Sequence, residues 1–170
     1  MKKYTIPFFL FGSLVMIYVM TTTGEPLKTP ATPHGILDLE FAYNTAKTTA
    51  VTDAWTPSDN IAVAKLNTWL DFLFLFFYSF FLFFASKKIA GTFQSTIAKA
   101  GYLIAGGALL AGFLDILENT GMLLTLNGHT SGTIAFLTTF FSIIKWGLAI
   151  IAVLYVLTGI LVLAYRKIKS

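Results

Sequence analysis

Apolar residues along this chain gather into four long runs, residues 4–20, 66–86, 100–126 and 134–165, separated by short polar stretches. At ~1.5 Å of rise per residue, each run is long enough to cross a hydrocarbon core of ~30 Å as a helix. The pattern predicts an all-α polytopic membrane protein of four transmembrane helices. Residues 1–170 form a single membrane domain in this reading, with an outside segment over 22–65.

Helical phase assigns a face to the second, third and fourth runs. At about 100° per residue, Leu75, Tyr78, Leu82 and Ala85 share the side of Asp71, whereas Phe72, Phe76, Phe80, Phe83 and Phe84 fall roughly opposite. In the third run Ala108, Ala111, Gly112, Asp115, Glu118, Asn119 and Met122 share one side. Thr138, Ser142, Lys145, Ala149, Ala152 and Gly159 do so in the fourth. Small residues let membrane helices approach closely, so these stripes are expected to face one another. The phenylalanines are expected to face lipid or an outer packing partner.

The outside segment begins irregularly. Residues 21–35 contain three prolines and two glycines, which favour extended and turn conformations. Ile36, Leu39, Tyr43, Ala46 and Ala50 then recur at helical spacing. With Thr32 as N-cap and Pro33 at the first helical position, one amphipathic helix is expected over 33–54, lying on the membrane surface or across the bundle mouth. His34, Asp38, Glu40 and Tyr43 make it a candidate lid. Trp55 fits an interfacial anchor. Pro57 should break the helix, and Ser58 or Asp59 should cap the next one, which continues to Lys88.

Composition agrees with lipid as the solvent. The chain is 56% hydrophobic and 12% charged, against about 25% charged in soluble proteins, and its mean hydropathy is +0.75. The formal charge of +4 is split among loops and tails with no basic stripe, which argues against nucleic acid as a partner. The absence of cysteine removes disulfides and thiolate metal sites.

Charge placement orients the spans. Lys2, Lys3, Lys87, Lys88, Lys99, Arg166, Lys167 and Lys169 occupy three segments that hold no acidic residue. The alternate side carries Lys28, Lys47 and Lys65 against Glu25, Asp38, Glu40, Asp53 and Asp59. Basic residues favour the cytoplasm in short loops. Both termini are therefore expected in the cytoplasm of a bacterial inner (plasma) membrane protein. A basic start followed by an apolar run also fits a signal peptide. The length of the run and the sequence Met20-Thr21-Thr22-Thr23, which lacks a small-x-small site, favour its retention as a helix.

Only Asp71, Asp115, Glu118 and Lys145 interrupt the second to fourth runs with charge. Counted from Lys87, Lys99 and Arg166, they lie ~24 to ~31 Å from the cytoplasmic anchors, in the outer third of the bilayer. Trp69 and Trp146 at similar levels suit an interface. Asn119, Tyr78, Thr138 and Ser142 can add hydrogen bonds. Three acids against one lysine leave −2 if all are ionised, so protons, water or a cation must compensate. An ion pair that only holds the bundle together is one reading of this layer. A polar pocket open to the outside is the other, with Asp71, Asp115, Glu118, Asn119, Lys145 and Tyr78 as its candidate residues.

His34 and His129 both fall in outside loops, where a solvated role is expected, and no metal or cofactor is expected. No HExxH, GxSxG, P-loop or GxGxxG pattern occurs. Thr32-Pro33-His34-Gly35-Ile36 with Glu40 and Ala42, Leu70-Asp71-Phe72-Leu73-Phe74 with Tyr78, and Leu114-Asp115 with Glu118-Asn119 together resemble the motifs of a family of four-span bacterial inner-membrane proteins of unknown function. The resemblance implies a four-helix bundle with a first outside loop, and no activity.

Three functions fit. The foremost is a non-enzymatic bundle binding a lipid, a small amphiphile or a partner membrane subunit at an outward-facing polar site. A membrane enzyme acting on a lipid-borne substrate, with Asp115 or Glu118 as base and Lys145 stabilising an anion, ranks lower because no nucleophile or metal accompanies the carboxylates. A proton or cation translocation subunit ranks lower too. The inner part of the stripes carries no ionisable group besides Tyr78, Tyr102, Tyr155 and Tyr165.

Overall fold

In the computed structural model residues 3–169 are described, and they form helices, short turns and loops with no strand among them. Six α-helices follow in order: α1 (Thr5–Thr23), α2 (Ile36–Glu40), α3 (Thr45–Trp55), α4 (Asn60–Ala90), α5 (Ser95–Leu126) and α6 (Gly132–Lys169). Four of them, α1, α4, α5 and α6, are long and apolar enough to cross a membrane. Lipid offers no partner for backbone polar groups, so a spanning segment must satisfy them internally, as a helix does. No proline or glycine falls within α4, and it runs unbroken for 31 residues. Lys2, one of the basic residues used for orientation, lies outside the described residues.

Long helices consecutive in the chain run antiparallel. α4 packs against both α1 and α5, α5 packs against α6, and α4 and α6 also touch. α1 rests principally on α4, so the bundle is three packed helices with a fourth on its flank. The end of α1 meets the start of α4, where Asn67 Nδ2 donates to Met20 O at 2.9 Å. The start of α1 and the end of α6 therefore lie at the end of the bundle remote from α2 and α3.

The faces read from helical phase pack as expected. Ala108, Ala111, Asp115, Glu118, Asn119 and Met122 of α5 are all buried. So are Asp71, Leu75, Leu82 and Ala85 of α4, and Thr138, Ser142, Lys145 and Ala152 of α6. Small residues set the crossings. A Cβ on Gly112 would lie 2.8 Å from Ser79 Cβ, and one on Gly159 would strike the Ile89 side chain. The phenylalanine face of α4 finds its partner in α1. Phe9 packs against Phe76, Phe80 and Phe84 at centroid distances of 5.6, 5.4 and 5.6 Å.

The segment between α1 and α4 departs from expectation. Instead of one helix over 33–54 there are two, α2 and α3, joined by a turn. Asn44 breaks the continuity because its side chain accepts from Lys47 N at 2.9 Å and caps α3. Thr32 does not cap a helix. Its hydroxyl is buried and donates to Leu27 O at 2.8 Å, while Gly35, at φ 63°, precedes α2 in a backbone conformation that suits glycine. Trp55 is not an interfacial anchor either. It is fully buried, and its Nε1 donates to Leu27 O at 2.9 Å and to Thr32 Oγ1 at 3.1 Å. A tryptophan can be buried whole when its one donor is matched, as here. Leu27, Leu39, Val51 and Trp55 thus form an apolar cluster with Ala64, Met122 and Leu126, and α2 and α3 close the bundle end where α4 begins and α5 finishes.

Candidate functional site

Lys145 on α6 enters the bundle from the buried stripe that also carries Ser142 and Ala152, and it is 5% exposed. A long cationic side chain so placed must find anions. Its Nζ lies 2.6 Å from Asp115 Oδ1 and 2.9 Å from both oxygens of Glu118, of which only Oε1 is placed to accept a hydrogen bond. Spacing on α5 makes this possible, because residues three apart on a helix share a face.

Asp115 is the hub of the cluster. Its Oδ1 takes the lysine and, at 3.4 Å, Asn119 Nδ2, while its Oδ2 accepts from the Tyr78 hydroxyl at 2.8 Å. Asn119 Nδ2 also donates to Asp71 Oδ2 at 2.9 Å, which ties α5 to α4. All six candidate residues of the polar site, Asp71, Tyr78, Asp115, Glu118, Asn119 and Lys145, therefore meet in one network.

Glu40 joins them. It was expected in the lid, yet it is 5% exposed and its Oε2 lies 3.7 Å from Lys145 Nζ. The same oxygen accepts from Ser142 Oγ and from Trp146 Nε1, each at 3.1 Å, and Thr139 Oγ1 donates to the Glu40 carbonyl at 2.9 Å. Glu40 thus seats the cap on α6. A signal existed in the sequence. Glu40 is the one charge within the apolar stretch Leu39–Ala42, an arrangement that suits burial beside a cation. Its partner is about a hundred residues away, and no local pattern could identify it. The remaining lid residues stay apart from the cluster. Asp38 accepts from His34 N at 2.8 Å within its own turn, and Tyr43 is exposed with Lys47 Nζ 4.5 Å above its ring.

Three carboxylates lie within 4 Å of one ammonium and a fourth, Asp71, joins through Asn119, a sum of −3 if every group is ionised. Lys145 is the cation of this cluster among the described residues. Buried charges are tolerated only when paired and hydrogen-bonded, so protons or a bound cationic group must make up the difference.

A cavity of about 650 Å³ opens beside the cluster. It lies where α1 stands off from α6. Leu10, Leu14 and Ile17 of α1, Phe81 and Leu82 of α4, and Ala149 and Val153 of α6 form apolar walls. At one end Glu40, Asp71, Tyr78, Asp115, Lys145 and Trp146 form a polar floor, with His34 and Lys28 nearby at the cap. Its size falls within the range of small-molecule sites, ~300 to 1,000 Å³. No family model, curated protein or solved structure matches this chain. Six polar residues of the short motifs noted in the sequence, Glu40, Asp71, Tyr78, Asp115, Glu118 and Asn119, nevertheless converge on this one place, whereas Thr32 bonds to Leu27 and Trp55 instead.

Proposed function

We propose that this protein is a membrane bundle whose cavity binds a lipid or small amphiphile, with the polar cluster taking its head and the walls of α1, α4 and α6 taking its tail. One observation carries the reading: the cavity is apolar along its length and polar at one end, the division of an amphiphile itself. Apolar walls favour a chain by burial at ~25 cal/mol per Å². The buried hydrogen-bonding floor would select against a ligand without a polar group, because its atoms would be left unmatched.

The setting of this site is part of the proposal. In a plasma membrane the basic residues favour both termini on the cytoplasmic side, which puts α2, α3 and the polar cluster on the outer side in this reading. The cap is then the lid of an outward-facing site, with Glu40 as its latch. Lys145 already has its anions within the chain, which favours a small ligand over a partner subunit bound through that lysine.

Lipid extracted from protein purified in a non-ionic maltoside and identified by mass spectrometry tests the reading. An amphiphile present at close to one per chain is expected, and Leu14→Trp, which fills the cavity from the half-exposed flank helix, should displace it. Equal recovery from both proteins would place any bound lipid on the outer surface and overturn the assignment.

A further inference from the structure

The charged end of the cavity is unequal in sign, and the inequality specifies a ligand. Lys145 has three carboxylates within 4 Å, at 2.6, 2.9 and 3.7 Å, so its charge is already matched. Asp71 has no such contact. It is 6% exposed, it lines the cavity, and one oxygen accepts from Asn119; its Oδ1 accepts no hydrogen bond among the described residues.

Hydrogen bonding repeats the imbalance. Behind the cavity wall two buried acceptors, Glu118 Oε2 and Asn119 Oδ1, also lack a hydrogen-bond donor, although the Lys145 ammonium lies 2.9 Å from Oε2. A further acceptor or anion entering here would add to a surplus, whereas a group bringing positive charge would reduce it. Phe74 and Tyr78 follow Asp71 on α4 and line the same cavity, and aromatic faces attract ammonium groups within about 6 Å; the Trp146 ring already has Lys145 Nζ 5.7 Å from its centroid.

We infer that the cavity receives an amphiphile with an ammonium head, the head held at Asp71 among these rings and the chain lying along α1. The inference rests on the amphiphile reading above and adds the sign of the head group. The same charges disfavour sulfate- and phosphate-headed amphiphiles without an ammonium.

Three probes with the same alkyl chain separate the two claims: dodecyltrimethylammonium, the uncharged tetraethylene glycol monododecyl ether, and dodecyl sulfate. Each is titrated against the full chain in maltoside micelles, with bound probe counted by native mass spectrometry. The ammonium probe is expected to bind about tenfold or more tightly than the other two. Asp71→Asn should bring it down to the level of the uncharged probe, and Leu14→Trp should weaken all binding. If the uncharged or sulfate probe binds the native chain as well as the ammonium, and Leu14→Trp removes it, the head-group inference falls and the amphiphile reading stands. If no probe binds the native chain, both fall. The preference of the native chain decides the matter even where Asp71→Asn does not fold.

Discussion

The Lys145 ammonium lies 2.6 Å from Asp115 Oδ1, and the two side chains are only 7% and 2% exposed. They come from different helices, and both are almost wholly buried. The contact therefore couples α5 to α6 electrostatically at one depth. A buried ion pair adds little over a well-packed apolar pair, but breaking one from a single side is costly.

Lys145→Met should accordingly lower stability by roughly 3–5 kcal/mol, because it leaves the carboxylates of Asp115, Glu118 and Glu40 without their cation. Adding Glu118→Gln or Asp115→Asn should recover part of that loss. Thermal unfolding in detergent across the double-mutant cycle should show a coupling beyond the ~0.5 kcal/mol of independent sites. Strict additivity for both acids would show that the short distances carry no energetic link.

Two glycines of α5 make a matched pair for testing the helix interface. A side chain on Gly112 would collide with Ser79 of α4, whereas one on Gly106 would meet nothing within 4 Å. Gly112→Leu is expected to lower the melting temperature markedly, since α4 must move aside. Gly106→Leu should leave it nearly unchanged. Similar losses from the two would place the α4–α5 contact elsewhere.

The cap hangs on a few buried hydrogen bonds. Trp55→Phe keeps an aromatic ring, though a smaller one, and removes the donor to Leu27 O and Thr32 Oγ1, a loss that by itself costs about 1–3 kcal/mol. Glu40→Ala removes the acceptor shared by Ser142 and Trp146. Hydrogen exchange should quicken over residues 24–58 in either variant while the half of α4 towards Ala90 stays protected. Protection unchanged in the cap would mean that it is held by apolar contact alone.

The orientation can be read from cysteines introduced at Ser58, Ser131 and Gln94. The first two are exposed in the loops at the capped end, and Gln94 is exposed in the loop at the other. An impermeant thiol reagent applied to intact cells is expected to label Ser58→Cys and Ser131→Cys and to spare Gln94→Cys. The reverse pattern would invert the bundle and place the cavity on the cytoplasmic side.

The four apolar runs and the inward faces of the second, third and fourth were determined by the sequence alone. Lipid forces a helix wherever about twenty apolar residues run together, and a regular helix turns residue spacing into direction. That is why Asp115, Glu118, Asn119 and Lys145 could be assigned to facing stripes at one depth before any coordinates. Outside the hydrocarbon that regularity is lost, and the expected single helix over 33–54 is two helices because Asn44 caps the second. Only the tertiary structure decided that Trp55 and Thr32 share a buried hydrogen-bond network with Leu27, that Glu40 crosses to Lys145, and that α1 rests on the phenylalanines of α4. Those relations join residues far apart in the chain, and periodicity carries no information on which distant partner will satisfy a buried polar group. The cavity belongs to the same class, since it is the space left where α1 leans on α4 and stands away from α6.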